Sequence, residues 1–198
     1  SCCKFIYSLL SKKFPGQLTD HQKLLMLLVD DCEAYNFKVS NSYELGVIYN
    51  NLQGNKPVRF YSLYKDGFKG FSEDQIKIIE YYKNKFEKIK SNLTVYTAGP
   101  HYIKGLCKYK KSYSYVSTFA TGYINEISDH LLNKYKSDIC IITNLETKRV
   151  FIRRSKKCEA NLKFLASLIC NGWGYHYAAG GKITDKFLKF SKLFFPVN

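Results

Sequence analysis

Near residue 92 the spacing of apolar residues changes period, and this change constrains the fold more than any other feature of the 198-residue chain. Before it, apolar residues recur at helical spacing. Phe5, Ile6, Leu9 and Leu10 predict a helix over residues 2–10 that closes near Pro15-Gly16, and Leu24, Leu25, Leu27 and Leu28 predict a second, capped by Thr19 or Asp20 and ending around Asp30-Asp31. Tyr43, Leu45, Val47 and Ile48 predict a short helix, Asn50 to Pro57 a loop, and the aromatic, glycine-punctuated run Phe60 to Phe71 a turn-rich cover. Ser72 followed by Glu73-Asp74 opens the clearest helix, with Ile76, Ile79, Tyr82, Phe86 and Ile89 along one face and a limit near Ser91. After it, two-residue alternation predicts strands over Leu93 to Ala98, Tyr113 to Phe119, Asp138 to Thr143 and Arg149 to Arg153. Helices are predicted between them, over Ile124 to Tyr135 and Glu159 to Cys170. The expected class is therefore α/β: the helical end of one domain (1–72), a connecting helix (73–92) and a small domain with a mixed sheet (93–198).

Charge divides along the same line. Residues 1–99 hold 14 basic and 10 acidic side chains, whereas residues 100–198 hold 17 and 6, a net of +11. The second half therefore carries a field suited to phosphates. Lysine supplies most of the positive charge, yet three of the four arginines, Arg149, Arg153 and Arg154, fall within six residues. Guanidinium groups at one place point to planar, two-pronged contact with an oxyanion. No run approaches the roughly 18 apolar residues of a membrane span. The seven cysteines form no C-x-x-C pair, and several sit in apolar runs, such as Cys140 and Cys170. Free thiols in the cytoplasm or another reducing compartment are the expectation.

The sharpest local feature is Asn171-Gly172-Trp173-Gly174-Tyr175-His176-Tyr177-Ala178-Ala179-Gly180-Gly181. Its small residues let backbone amides approach a ligand closely, and His176 adds a titratable donor for an anionic oxygen. The run reads as a glycine-rich loop ahead of an edge strand, Lys182-Ile183-Thr184.

Taken in order, Val150-Phe151-Ile152-Arg153-Arg154-Ser155, a helix, and the Gly172 to Gly180 run resemble the substrate-binding domain attached to DHH phosphoesterases. That superfamily includes RecJ-like exonucleases, nanoRNases and cyclic-dinucleotide phosphodiesterases. Its pattern is Val-Ser-Leu-Arg-Ser, a helix, then Gly-Gly-Gly-His-Pro-x-Ala-Ala-Gly. Asn125-Glu126-Ile127-Ser128 through Leu131-Leu132 also looks like that domain's first helix. Upstream, Leu27 to Phe37 is similar to the fourth metal motif of the DHH domain, with Asp31 as the aligned metal-ligand aspartate and Asp30 as the runner-up. Ser1 to Tyr7 looks like the helix that follows the Asp-His-His signature.

The resemblance implies a phosphodiesterase acting on a short oligonucleotide end or a dinucleotide. Arg153, with Arg154, would grip phosphate; Gly172, Gly174, Ala178, Ala179 and Gly180 would cradle a nucleotide; His176 would donate to a phosphate oxygen. Asp31 would help hold Mn2+ or Mg2+. Two departures bear on this. The earlier metal motifs do not occur, so the chain, which begins at Ser1 rather than Met, reads as part of a longer protein whose metal centre needs an N-terminal segment or other subunits. Without gaps, Tyr175 stands where the family has His, Trp173 where it has Gly, and His176 where it has Pro. Either His176 acts from a shifted loop or the phosphate contact is altered, and no catalytic residue is assigned. The alternative is an inactive basic nucleic-acid-binding module within a larger assembly. His21, His101 and His130 have no partners at ligand spacing and read as surface or capping residues, and Tyr113, Tyr115 and Phe119 read as core more readily than as stacking platforms.

Overall fold

The computed structural model describes residues 16–34, 37–107 and 111–197, together with Phe5, Ser8, Leu9, Lys12 and Lys13. The expected helix over 2–10 and the family-like segment Ser1 to Tyr7 lie mostly outside the described residues. The chain forms two compact units, residues 1–87 and 88–198. No described helix is long and apolar enough to cross a membrane.

The first unit is helical. Helix α1 (Asp20–Glu33) starts with a reciprocal cap: the Gln22 N–H donates to Thr19 Oγ1, and the Thr19 N–H donates to Gln22 Oε1. It runs two residues past the expected end. Helix α2 (Ser42–Asn51) follows, and then α3 (Lys56–Tyr64), where the sequence reading had a loop and a turn-rich segment. Asn55 caps α3 through its side chain and Pro57 sits in its first turn, so the polar stretch shrinks to residues 52–55. Leu28, Leu45, Tyr64 and Phe68 form one buried cluster, and Val47, Ile48 and Ile79 a second. Helix α4 (Glu73–Ser91) opens with Ser72 and Gln75 exchanging hydrogen bonds. Its inward stripe includes Ile79, Tyr82, Phe86 and Ile89, but Ile76 is exposed. Lys83 of α4 pairs with Glu44 of α2 at 2.6 Å.

The second unit is a seven-stranded mixed sheet with helices on both faces. Its strands are β1 (Val95–Tyr102), β2 (Ser112–Phe119), β3 (Ile139–Asn144), β4 (Arg149–Arg154), β5 (Trp173–Gly174), β6 (Ala178–Lys182) and β7 (Phe195–Pro196). They lie in the order β5-β6-β4-β3-β2-β1-β7, and every neighbouring pair is antiparallel except β2–β3. That parallel pair is joined through α5 (Ile124–Tyr135), since parallel neighbours need a crossover. All six residues of β3 are buried, as a central strand covered on both faces requires. Residues directly opposite in a pair share a face. Ile139, Ile141, Val150 and Ile152 face the core formed with α6 (Leu162–Cys170) and α7 (Asp185–Ser191), whereas Cys140 and Arg153, paired with each other, face α5.

Two tyrosines of β2 settle in this core. Tyr113 and Tyr115 are fully buried, while Phe119 at the strand's end is half exposed. The Tyr115 hydroxyl finds no hydrogen-bond partner among the described residues, and burial pushes its ionisation well above the ordinary phenol range. An unpaired buried hydroxyl costs free energy, so Tyr115→Phe is expected to leave the fold unchanged or stabilise it by about 1 kcal/mol in urea unfolding. A loss of stability would reveal a partner for that hydroxyl.

Candidate functional site

The glycine-rich run is a hairpin, not a loop, and this is the main correction to the sequence reading. Ala178, Ala179 and Gly180 belong to β6, an interior strand between β4 and β5; Lys182 ends it, and Thr184 caps α7 instead of extending an edge strand. The tip closes where the Tyr175 N–H donates to the Ala178 carbonyl at 2.7 Å. Gly174 holds a φ of 155°, and a Cβ there would lie 2.5 Å from the Ala179 Cα.

The register builds a trough on one face. Arg153 pairs with Ala178, Phe151 with Gly180, and Gly180 in turn with Trp173. These residues point to the same side. Gly180 and Ala178 thus form a floor almost bare of side chains, about two strand spacings, or roughly 10 Å, across. Arg153 and Phe151 stand on one bank, Trp173 and the adjoining tip on the other. His176 lies two residues before Arg153's partner, so both belong to the same corner. Its carbonyl accepts from the Leu162 N–H at 2.9 Å, pinning the tip to the start of α6, and its exposed ring meets Tyr177 edge-on.

Arg153 is half-buried and held in place. Its Nε and Nη2 both donate to Asn125 Oδ1 of α5, at 3.3 and 3.0 Å, and Nη1 donates to the Ile152 carbonyl. Partial desolvation raises the carboxyl pKa of Asp129, further along α5, despite the opposing charges of Lys156 and Arg153. The neighbouring Arg154 does not share the trough. Alternation along β4 sends it to the opposite face, where Nη1 donates to the Ala160 carbonyl and ties down the loop before α6. The expected two-arginine grip is therefore split, with Arg153 beside the small-residue floor and Arg154 in the loop's support. Ala179 and Gly181 likewise face α6, not the trough: Ala179 is part of the core, and a Cβ on Gly181 would strike Cys170. Asn125, the positioning partner of Arg153, was not among the residues expected to act at the site.

Asp31 is buried, and its Oδ2 accepts from Ser42 Oγ at 2.6 Å and from the Val39 N–H at 2.9 Å. The Ser42 hydrogen bond, more than any other interaction, holds its carboxyl below the usual value. Asp31 thus anchors the turn that starts α2, and Asp30 beside it is half-buried. Among the described residues no three His, Cys, Asp or Glu side chains converge to hold a metal ion. The donor set here does not fit a two-metal phosphoesterase centre, which needs several carboxylates and imidazoles around ions about 3.5–4 Å apart. A group whose folded pKa is depressed contributes stability above its ordinary value and loses it as pH falls. Asp31→Asn is therefore expected to lower the thermal midpoint at pH 7, with the gap to wild type closing below pH about 3.8, the ordinary carboxyl value. An equal midpoint at pH 7 would show that the anchor is dispensable.

Burial pushes Cys140 up to about 12 and Cys170 to about 11. All five described cysteines are free. His21 is structural: its Nδ1 lies 3.1 Å from the Phe68 carbonyl, closing the turn at Gly67 over α1.

No protein-family profile and no curated protein matches the sequence. Among solved structures, the pGpG-specific phosphodiesterase PggH from Vibrio cholerae superposes with a TM-score of 0.57 at 12% identity, over 96% of this chain and 69% of that one. The two share a fold. An exopolyphosphatase-related protein from Bacteroides fragilis aligns at a TM-score of 0.46 and 13% identity, over 98% of this chain and 55% of its own. An uncharacterized protein from Helicobacter pylori G27 aligns at 0.34 and 16%, over 92% and 60%. The chain thus spans only part of each of these proteins.

Proposed function

We propose that this chain is the substrate-binding part of a DHH-type phosphoesterase, and that it binds the phosphate of a short oligonucleotide or dinucleotide. One observation carries the reading: Arg153 and the small residues Ala178 and Gly180 lie on adjacent strands and face the same side, beside the hairpin tip that bears His176. Asn125 pre-orients the guanidinium, which lowers the ordering cost of a two-pronged phosphate contact. Residues 88–198 contribute 19 basic and 6 acidic side chains, a field that draws in such a ligand. The fold shared with a pGpG-specific phosphodiesterase agrees with this reading.

The chemistry belongs to a metal centre that the described residues of this chain do not complete. In the family that centre supplies the nucleophile, with Mn2+ or Mg2+ as the expected ions, whereas this chain binds and orients. The same donor set also favours the alternative, a binding module without turnover. An assay of pGpG binding and hydrolysis tests both. The chain is expected to bind the dinucleotide in low salt with affinity that falls as salt rises, and to give no product with added manganese. Turnover by these residues alone would overturn the assignment of the metal centre to partners beyond them, and absence of salt-sensitive binding would overturn the function.

A further inference from the structure

The bank of the trough opposite Arg153 is aromatic, and neither the packing of the unit nor phosphate binding accounts for it. Trp173, Tyr175 and Tyr177 are 67%, 59% and 52% exposed, so the core does not use them. They nonetheless form an ordered series. Trp173 and Tyr175 have ring centroids 5.8 Å apart, and Tyr175 and Tyr177 stack at 5.5 Å with planes within 7° of parallel. The hairpin that carries them is fixed at its tip by the Tyr175–Ala178 hydrogen bond and from the side by the His176–Leu162 hydrogen bond. Rings held in this way lose little freedom when a flat partner lies on them.

Basic residues crowd the segment that adjoins this hairpin. The segment 153–163, which runs from Arg153 to the first turn of α6, holds five basic residues and one acidic residue. Lys156, Lys157 and Lys163 are exposed, and this segment joins the hairpin at both ends, through the Arg153–Ala178 pair and the Leu162–His176 hydrogen bond. Exposed rings beside a cationic segment match a ligand that presents flat aromatic faces and negative charge together. A purely apolar surface would leave the lysines unused, and a bare phosphate would leave the rings unused. Unpaired nucleobases on a phosphate backbone satisfy both.

Resting on the phosphate-binding function above, we propose that Trp173, Tyr175 and Tyr177 form a base-stacking site for single-stranded nucleic acid, which runs past the phosphate held at Arg153. Stacking on aromatic side chains tolerates any base, because every base has a π-face. The site therefore favours strands longer than the dinucleotide that the floor of the trough holds.

Trp173 is the only tryptophan in the chain, so its fluorescence reports on the site directly. The whole chain is titrated with a short oligothymidylate and with an abasic strand of equal length and charge. Oligothymidylate is expected to quench Trp173, and the abasic strand to bind about tenfold or more weakly without quenching. Tyr175→Ala with Tyr177→Ala, both exposed and so compatible with folding, is expected to lose at least tenfold in affinity for oligothymidylate, whereas the double Tyr→Phe variant retains it. Equal affinity for the two strands, or full affinity in the double alanine variant, overturns the stacking site. If Arg153→Ala still weakens that base-independent binding tenfold or more, the phosphate reading stands. Binding of neither strand defeats both. Wild-type self-association that the double alanine variant removes would assign the rings to a contact between copies and likewise overturn the proposal.

Discussion

Replacing Gly172 with alanine is expected to destabilise the C-terminal unit by about 2–3 kcal/mol, the upper part of the range for forcing atoms into filled space. A Cβ at this position would lie 2.1 Å from the Gly180 carbonyl oxygen and 2.9 Å from the Gly181 Cα. Both neighbours are backbone of β6, which is paired on its other side to β4. They cannot withdraw without breaking that ladder, so the strain falls on the β5–β6 pair and the hairpin tip. Gly122, with nothing within 4 Å of its Cβ position, supplies the control within the same unit. Gly122→Ala should stay within about 0.5 kcal/mol of wild type. Urea unfolding followed by Trp173 fluorescence measures both, and equal midpoints for the two variants would refute the close approach of Gly172 to β6.

The clash also shows why part of the site was illegible in the sequence. Ala178-Ala179-Gly180-Gly181 lacks the β-branched and aromatic residues that mark strands, so it reads as loop. It becomes a strand because β4, β5 and α6 crowd it so closely that only small side chains fit. Tertiary packing, invisible to a local pattern, overrides propensity. Helix α3 was hidden for a related reason: Phe60, Tyr61 and Tyr64 are indifferent helix formers lying between a proline and a glycine, and the packing of Phe60 and Tyr64 against Leu45 and Phe68 supplies what propensity does not. Where the pattern is long and regular, as in α4, α5 and strands β2 to β4, period alone placed the elements to within a residue or two.

The site residues divide along the same principle. Arg153 and Arg154 looked like one grip because they are adjacent, yet alternation sends adjacent strand residues to opposite faces. That consequence followed from the strand assignment itself. Asp31 could not be resolved in this way. A carboxylate at the end of a helix reads the same whether or not it anchors the next helix, and only the position of Ser42, eleven residues on, reveals that anchoring role. Nor does any spacing link Asn125 to Arg153, whose contact depends on α5 crossing over the sheet between β2 and β3.

Arg153→Ala is expected to weaken binding of a short oligonucleotide by about 1.5–3 kcal/mol, the scale of a hydrogen bond to a charged group, or roughly 10- to 150-fold. The loss should exceed that of Arg154→Ala, because Arg154 lies on the far face and donates to the Ala160 carbonyl. Arg153→Lys separates charge from geometry. It keeps the positive charge but cannot hold Asn125 Oδ1 through two nitrogens while presenting a planar edge to phosphate, so intermediate affinity is expected. Salt dependence makes the assignment specific. Removing one phosphate contact on a single strand lowers the slope of log affinity against log salt by about 0.7. A variant that merely disturbed the fold would weaken binding and also shift the urea midpoint by more than the roughly 1 kcal/mol that losing the Asn125 contact implies. Unchanged affinity and slope in Arg153→Ala, with the midpoint held, would remove this guanidinium from the phosphate site and with it the observation on which the proposed function rests.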